Sequence, residues 1–329
     1  MRVKFWLTLC AMGVGLGAGG VALAADAPVQ DEAKAELVKQ ALAKDAVCTK
    51  CHDENDNKAI LSIYQTKHGV KADARTPGCQ TCHGASDAHV RNPQGSRVRP
   101  SPDVVFGPKS ATPVGEKNDV CLQCHKSGAR TYWSGSTHQY RDVACATCHQ
   151  VHAPRDPVLA KITQPDVCFG CHKTQRAQIH LVSTHPILVG KVACSDCHNP
   201  HGSAAPKLMV KETINETCYT CHAEKRGPFL WEHSPVVDDC TNCHTPHGST
   251  KPALLKARVP WLCQECHSGD HGAAINSGAN LATGNATTIN GLQPLGSQSP
   301  RAQTNARACL NCHVLIHGSN HPAGAKFQR

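Results

Sequence analysis

Cysteine and histidine recur along the chain in one five-residue pattern, in which two cysteines are separated by two residues and a histidine follows the second. Of the 21 cysteines, all except Cys10 belong to such a C-x-x-C-H motif, so the sequence contains ten motifs. The motif cysteines are Cys48, Cys51, Cys79, Cys82, Cys121, Cys124, Cys145, Cys148, Cys168, Cys171, Cys194, Cys197, Cys218, Cys221, Cys240, Cys243, Cys263, Cys266, Cys309 and Cys312. The motif histidines are His52, His83, His125, His149, His172, His198, His222, His244, His267 and His313.

The spacing within each motif suits the covalent attachment of haem. Two thiols add across the two vinyl groups of the porphyrin as thioethers, and the adjacent histidine is then held beneath the iron as its proximal ligand. A disulfide framework gives no reason for the following histidine, and zinc ribbons do not require one at every cysteine pair. The sequence therefore predicts ten covalently bound c-type haems.

The other twelve of the 22 histidines lie outside the motifs, and most of them recur in register with the motifs. After most odd-numbered motifs a histidine follows at some distance, and after even-numbered motifs one follows closely, so the repeating unit holds two haems. A neutral imidazole is a natural sixth ligand on the face of the haem opposite the proximal histidine. We therefore predict bis-histidine, low-spin haems whose ten distal ligands come from eleven candidates, which are His68, His89, His138, His152, His185, His201, His233, His247, His271, His317 and His321.

Some candidates fit this repeat better than others. His152, His201 and His247 each follow a proximal histidine by three residues and cannot easily reach the opposite face of the same haem, so we expect them to ligate neighbouring haems. His180 has no counterpart in the other repeats and is predicted to be a non-ligand. One of His317 and His321 is a candidate for the surplus histidine, and His89 and His271 fit the register less closely.

The elements between the motifs are predicted to be short, because only 13 residues are Phe, Trp or Tyr and 20 to 30 residues separate most successive motifs. We predict an elongated multihaem cytochrome c fold, mostly irregular coil with short α-helices wrapped round a chain of ten haems, with little or no β-sheet. An amphipathic helix is predicted over residues 31–44, either as a docking element or packed on haem. Residues 91–115 are predicted to be an irregular loop, and residues 269–303 either a flexible linker or a loop ordered by a partner.

The chain divides into three predicted segments. Residues 1–24 have the positive end, apolar stretch and small-residue cleavage site of an export signal, although a retained membrane anchor is the alternative interpretation. Residues 25–47 form an N-terminal helical segment, and residues 48–329 a decahaem domain. Its five two-haem repeats are predicted at about 48–120, 121–167, 168–217, 218–262 and 263–329.

The predicted ligand sets favour electron transfer over catalysis, because an iron with two axial imidazoles has no position for a substrate. Nucleic acid is not a predicted partner, since the basic residues that give the net charge of +9 are scattered singly. Two alternatives stay open from other classes, a multihaem oxidoreductase with its own catalytic haem and a soluble periplasmic electron shuttle.

Residues around the motifs, and not only the motif count, carry a family resemblance. The segments Cys145–His152, Cys194–Ser203, Cys218–His233 and Cys309–Pro322 resemble the periplasmic decahaem cytochromes of the MtrA/MtoA/PioA/DmsE family. The resemblance implies a periplasmic protein associated with the outer membrane, which carries electrons inside a β-barrel porin. Its implied partners are that porin, periplasmic or inner-membrane cytochromes, and extracellular Fe(II)/Fe(III), an extracellular multihaem cytochrome or a terminal reductase on the outside.

Overall fold

A computed structural model of the chain describes residues 27–70, 75–92, 98–267, 309–322 and 324–328. The predicted export signal, the predicted loop 269–303 and the candidate ligand His271 lie outside the described residues. Within them the chain is helix and coil with four isolated β-bridges and no β-strand, as the sequence predicts.

Twelve α-helices occur in the described part of the chain, and most span only one or two turns. Such short helices are marginal on their own and depend on their tertiary surroundings. They are α1 (Ala27–Thr49), α2 (Cys79–His83), α3 (Asp87–Arg91), α4 (Val114–Leu122), α5 (Thr137–Tyr140), α6 (Cys145–Cys148), α7 (Gln164–Phe169), α8 (Lys173–Gln178), α9 (Cys194–Cys197), α10 (Ile214–Tyr219), α11 (Ser234–Asp238) and α12 (Trp261–Gln264).

Single turns of 3-10 helix supplement the α-helices. They are Ile60–Gln65, Gly128–Arg130, Pro157–Leu159, Pro206–Leu208, Ala223–Lys225, Cys240–Asn242, Pro252–Leu254, Cys309–Asn311 and Gly324–Lys326. Proline begins three of these turns, where its fixed φ angle suits the first helical position and its missing N–H costs no hydrogen bond.

The predicted N-terminal helix is present as α1 and extends beyond residues 31–44 at both ends, so that it includes Cys48. The first cysteine of each odd-numbered motif lies in such a preceding helix, namely α1, α4, α7, α10 or α12. The first cysteine of each even-numbered motif instead begins a short helical turn, as in α2, α6 and α9. The two kinds of motif therefore alternate in their backbone setting.

Side chains alone form only a small apolar core. Seven hydrophobic residues are buried in the described part of the chain, and Phe169, Ile179 and Ile187 form one cluster. This matches a fold whose largest apolar groups are porphyrins and not side chains. None of the described helices has both the length and the apolar character needed to cross a membrane.

Contacts between successive repeats are made by the main chain. Ser183 and Ser249 exchange two backbone hydrogen bonds of 3.0 and 2.8 Å, and Trp231 and Ser319 exchange two of 2.9 Å. Gly248 adjoins the first bridge, and a Cβ atom at this position would lie 2.0 Å from the carbonyl oxygen of Gln178. Glycine is therefore required where these repeats meet.

Candidate haem-binding sites

Nine motif histidines face a second imidazole ring in the described part of the chain. The ring centroids of every such pair lie 5.9–6.3 Å apart, whereas the angle between the ring planes varies from 2° to 84°. The pairs are His52–His89, His68–His125, His83–His152, His138–His172, His149–His201, His185–His222, His198–His247, His233–His267 and His244–His317.

A constant distance with a variable ring angle is the geometry expected of two ligands on one metal axis. One metal ion bonded at about 2 Å to a nitrogen of each imidazole would separate the ring centroids by about 6 Å. Each ring can rotate about the shared nitrogen–metal–nitrogen line without changing that separation. Directly packed aromatic rings change their centroid distance with their mutual angle. The paired imidazoles therefore fit the axial positions of haem iron.

Eight of the nine pairs link different repeats, in two opposite directions. Four even-numbered motif histidines face the close histidine that follows the next even-numbered motif, as His149 faces His201 at 6.0 Å. Four odd-numbered motif histidines face the histidine that follows the previous odd-numbered motif at a longer sequence distance, as His172 faces His138 at 6.2 Å. The first motif has no predecessor, and His52 instead faces His89 at 6.0 Å.

The structure thus gives a partner ring to nine of the eleven predicted distal candidates. His317, one of the two alternatives near the C terminus, lies opposite His244 with ring centroids 6.1 Å apart. His321 lies in the part of the chain that the structure describes but belongs to none of these nine pairs, and His271 lies outside the described residues. His180, predicted to be a non-ligand, is exposed and also lies outside the nine pairs.

Hydrogen bonds fix which ring nitrogen carries the proton in many of these histidines. The Nδ1 atoms of nine histidines lie 2.5–3.1 Å from main-chain carbonyl oxygens, which only accept hydrogen bonds, so Nδ1–H is the donor and Nε2 keeps its lone pair. They are His83, His89, His138, His152, His185, His198, His233, His244 and His313.

Carboxylates take the place of the carbonyl at two further motif histidines. Nδ1 of His52 lies 2.8 Å from Oδ2 of Asp56, and Nδ1 of His149 lies 2.7 Å from Oδ2 of Asp156. A carboxylate is a stronger acceptor than a carbonyl and makes the imidazole a stronger electron donor through Nε2.

Burial lowers the pKa of six of the paired imidazoles, which favours the neutral form that ligates a metal. Desolvation is the largest cause of a lowered pKa at all six histidines for which a shift is resolved, and nearby histidines add to it. These are His83, His125, His201, His233, His247 and His317.

The motif cysteines bring successive motifs together in five pairs. The first thiol of each odd-numbered motif lies close to the first thiol of the next motif, in the pairs Cys48–Cys79, Cys121–Cys145, Cys168–Cys194, Cys218–Cys240 and Cys263–Cys309. The interaction between the two thiols of one such pair raises the pKa of Cys168 and lowers the pKa of Cys194.

Motif thiols also approach each other between one pair and the next. Burial, and then the charge of Cys171, raise the pKa of the Cys148 thiol. Cys197 is affected in the same way by burial and then by Cys218 of the following pair. Successive motifs are therefore neighbours both within a pair and between pairs.

A buried polar side chain holds the two motifs of a pair together in four of the five pairs, a role that the sequence analysis missed. We call Asp45, Asn118, Gln164 and Asn215 the clamp residues; they are 2–8% exposed. The clamp oxygen accepts a backbone N–H at the start of the next motif, at 2.7–3.0 Å, from Cys79, Cys145, Ser195 and Cys240 respectively.

A sequence signal for the clamp exists, since three of these residues precede the first cysteine of an odd-numbered motif by three positions and Gln164 precedes it by four. Proline occupies the equivalent position in the fifth pair, at Pro260.

Three segments of the chain match two known families. Residues 185–227 and 233–272 match the doubled CXXCH motif family, and residues 79–164 match the family of NrfB-like cytochrome c-type proteins. Each doubled-motif segment begins at a distal candidate, His185 or His233, and includes the next two motifs. The matched unit therefore has the two-motif period of the repeat, in a frame shifted by one motif.

Curated relatives extend the similarity over most of the chain. The multihaem cytochrome MtrA of Shewanella baltica is 45% identical over 287 residues, which are 86% of this chain and 80% of that protein. The cytochrome c-type protein NrfB of Escherichia coli O6:H1 is 30% identical over 142 residues, which are 40% of this chain and 67% of that protein.

Proposed function

Because the chain belongs to the family of the multihaem cytochrome MtrA, electron-transfer proteins with covalently bound c-type haems, we propose that it conducts electrons across the outer membrane through ten haems. When bound, haem supplies an iron that alternates between Fe(III) and Fe(II). The observation that carries the proposal is the recurrence of paired imidazoles at 5.9–6.3 Å. An iron held between two such imidazoles would have no position for a reactant, so these sites would pass electrons without binding a substrate.

The proposed ligand set is bis-histidine at every iron. The motif histidines are the proximal ligands, and the nine imidazoles that face them are distal ligands. The tenth proximal ligand, His313, donates its Nδ1–H to the carbonyl of Lys326, which leaves Nε2 for the iron. Its distal ligand is proposed to be His271 or His321, the two remaining candidates.

Continuity of the motifs supports conduction along the whole chain. Thiols of successive motifs approach each other within every pair and at several junctions between pairs. The imidazole pairs also connect each repeat to the next, so the distal ligand of one haem is fixed by the chain segment that carries another. This cross-linking keeps neighbouring haems at fixed separations, which rapid electron transfer requires.

The proposed location is the periplasm, in contact with the outer membrane and within a β-barrel porin. The charged propionates of the haems need a polar surrounding at membrane depth, which a barrel lumen provides. Electrons would pass between periplasmic or inner-membrane cytochromes on one side and extracellular Fe(II)/Fe(III), a multihaem cytochrome or a terminal reductase on the other. The family resemblance supports these partners.

The spin state of the irons separates this function from that of a multihaem oxidoreductase with its own catalytic haem. Electron paramagnetic resonance and magnetic circular dichroism of the purified holoprotein should show only low-spin ferric haem. Mass spectrometry of the same sample should give ten haems per chain. A substantial high-spin fraction in fully loaded protein would favour the oxidoreductase.

Reconstitution tests the conduit. The holoprotein and its co-purified porin are inserted into vesicles that contain a redox dye, and an impermeant reductant is added outside. We expect the dye to be reduced only when both proteins are present. Vesicles with porin alone and with cytochrome alone serve as controls. Equal dye reduction with the cytochrome alone would contradict a porin-dependent conduit, and failure to co-purify with any outer-membrane protein would favour a soluble shuttle.

A further inference from the structure

The clamp of the first motif pair differs chemically from the other three. Asn118, Gln164 and Asn215 carry neutral amides, whereas Asp45 carries a carboxylate. All four accept a backbone N–H at the start of the next motif and are almost completely buried. The fold therefore places an ionisable group in the first pair where it places an uncharged one elsewhere.

The groups around each clamp match its charge. The amide nitrogens of Asn118 and Asn215 donate to main-chain carbonyl oxygens of the following loop, such as that of Val143 at 3.2 Å. At Asp45 the second contact is a donor instead, because the hydroxyl of Tyr64 donates to Oδ2 at 3.0 Å. Both oxygens of Asp45 thus accept a hydrogen bond, as the oxygens of a carboxylate do.

Asp45 lies close to both haem-attachment points of the first pair. Oδ1 accepts the N–H of Cys79 at 3.0 Å, and Cys48 follows Asp45 by three residues on α1. The approach requires Gly78, because a Cβ atom there would lie 2.7 Å from Oδ1. Burial, and then the negative charge of Asp45, raise the pKa of the Cys79 thiol to about 12. The field of the carboxylate therefore reaches the sulfur that joins the second haem.

A fixed negative charge opposes the arrival of an electron, and a buried one is poorly screened by water and salt. We infer that Asp45 lowers the reduction potentials of the haems attached at the first two motifs, relative to those of the pairs clamped by an amide. Asp45 then has two roles, because it holds the two motifs together as the amides do and makes its end of the haem chain harder to reduce. The inference depends on haem attachment at these motifs and is independent of the porin.

A reciprocal exchange of charge tests the inference in full-length holoprotein. Potentiometric titration followed by optical and paramagnetic resonance spectra should show that Asp45→Asn shifts two of the ten centres to more positive potentials. Asn118→Asp should shift two other centres to more negative potentials. Glu36→Gln, which removes the same charge from an exposed position on α1, should shift none.

Haem content by mass spectrometry is measured for each variant, so that altered potentials are not confused with lost haem. Unchanged potentials in fully loaded Asp45→Asn would overturn the inference, and so would an equal shift of all ten centres. If Asp45→Asn does not take up ten haems, Asn118→Asp decides the question, and a lack of negative shift there would also overturn it. None of these outcomes bears on conduction through a porin, which the vesicle experiment measures separately.

Discussion

The Nδ1 atom of His149 lies 2.7 Å from the Oδ2 atom of Asp156. In the next two even-numbered motifs, His198 and His244 instead donate to main-chain carbonyl oxygens at 2.9 and 2.7 Å. Each of those carbonyls belongs to the middle residue of a Pro-x-Leu turn, and the matching turn after His149, Pro157–Leu159, directly follows Asp156. One side chain thus replaces a carbonyl with a carboxylate in an otherwise repeated structure.

We predict that Asp156→Asn raises the reduction potential of a single haem. The carboxylate strengthens electron donation from His149 to the iron, which stabilises Fe(III), and an amide oxygen does so less. Potentiometric titration of the holoprotein should show one centre moving to a more positive potential. The exposed Asp166 on α7 offers a control with the same change in charge, and Asp166→Asn should leave the titration unchanged. Equal shifts in the two variants would show that only net charge matters.

We predict that Gly248→Ala strongly destabilises the junction between the third and fourth repeats. The added Cβ would lie 2.0 Å from the carbonyl oxygen of Gln178, and main chain cannot move aside as a flexible side chain can. Forced overpacking of this kind typically costs about 1–3 kcal/mol. Thermal unfolding followed by circular dichroism should show a lower midpoint than the wild type.

Gly115 on α4 is the matched control, because a Cβ atom there meets no atom within 4 Å. Gly115→Ala should unfold at or above the wild-type temperature, since alanine favours helix more than glycine does. Similar losses in both variants would contradict the proposed role of the repeat junction.

We predict that removing a clamp amide weakens one motif pair. Asn215 accepts the N–H of Cys240 at 2.7 Å, and Asn215→Ala would leave that buried donor unsatisfied. The cost is about 1–3 kcal/mol in unfolding free energy. Denaturant unfolding of the holoprotein measures the loss. The exposed Asn55 provides a control, and Asn55→Ala should change the unfolding free energy little. An unchanged midpoint for Asn215→Ala would show that the clamp adds no stability.

The candidate haem-attachment residues were predictable from the sequence because covalent attachment requires a fixed spacing of cysteine and histidine. A C-x-x-C-H segment folds into one turn whatever surrounds it, and the N–H of each motif histidine donates to the carbonyl of the first cysteine, as in His149 to Cys145 at 2.9 Å. The alternation of close and distant histidines also separated the candidates, such as His201, from His180. Their pairing required three-dimensional structure, because partner rings lie in different repeats.

The clamp and the choice of acceptor at each Nδ1 were not predictable in the same way. Asp45, Asn118 and Asn215 share a position three residues before a motif cysteine, but only burial against the following motif reveals what they bind. The carbonyl that His198 contacts belongs to Lys207, whose side chain is irrelevant to the bond. A main-chain acceptor leaves no mark on residue type, and only the carboxylates of Asp56 and Asp156 could have been suspected from the sequence.

The assignment of distal ligands makes the last prediction, at the pair His198–His247, whose ring centroids lie 6.0 Å apart. His247→Ala should open one axial position and create one high-spin haem in ten, because no second imidazole replaces the lost ligand. That centre should bind carbon monoxide after reduction, whereas the wild type should not. Optical difference spectra and magnetic circular dichroism measure both changes. His180→Ala is the matched control, since His180 is exposed and lies outside the nine pairs, and it should stay low-spin. Carbon monoxide binding by His180→Ala, or no binding by His247→Ala, would contradict the assignment of His247 and not His180 as a distal ligand.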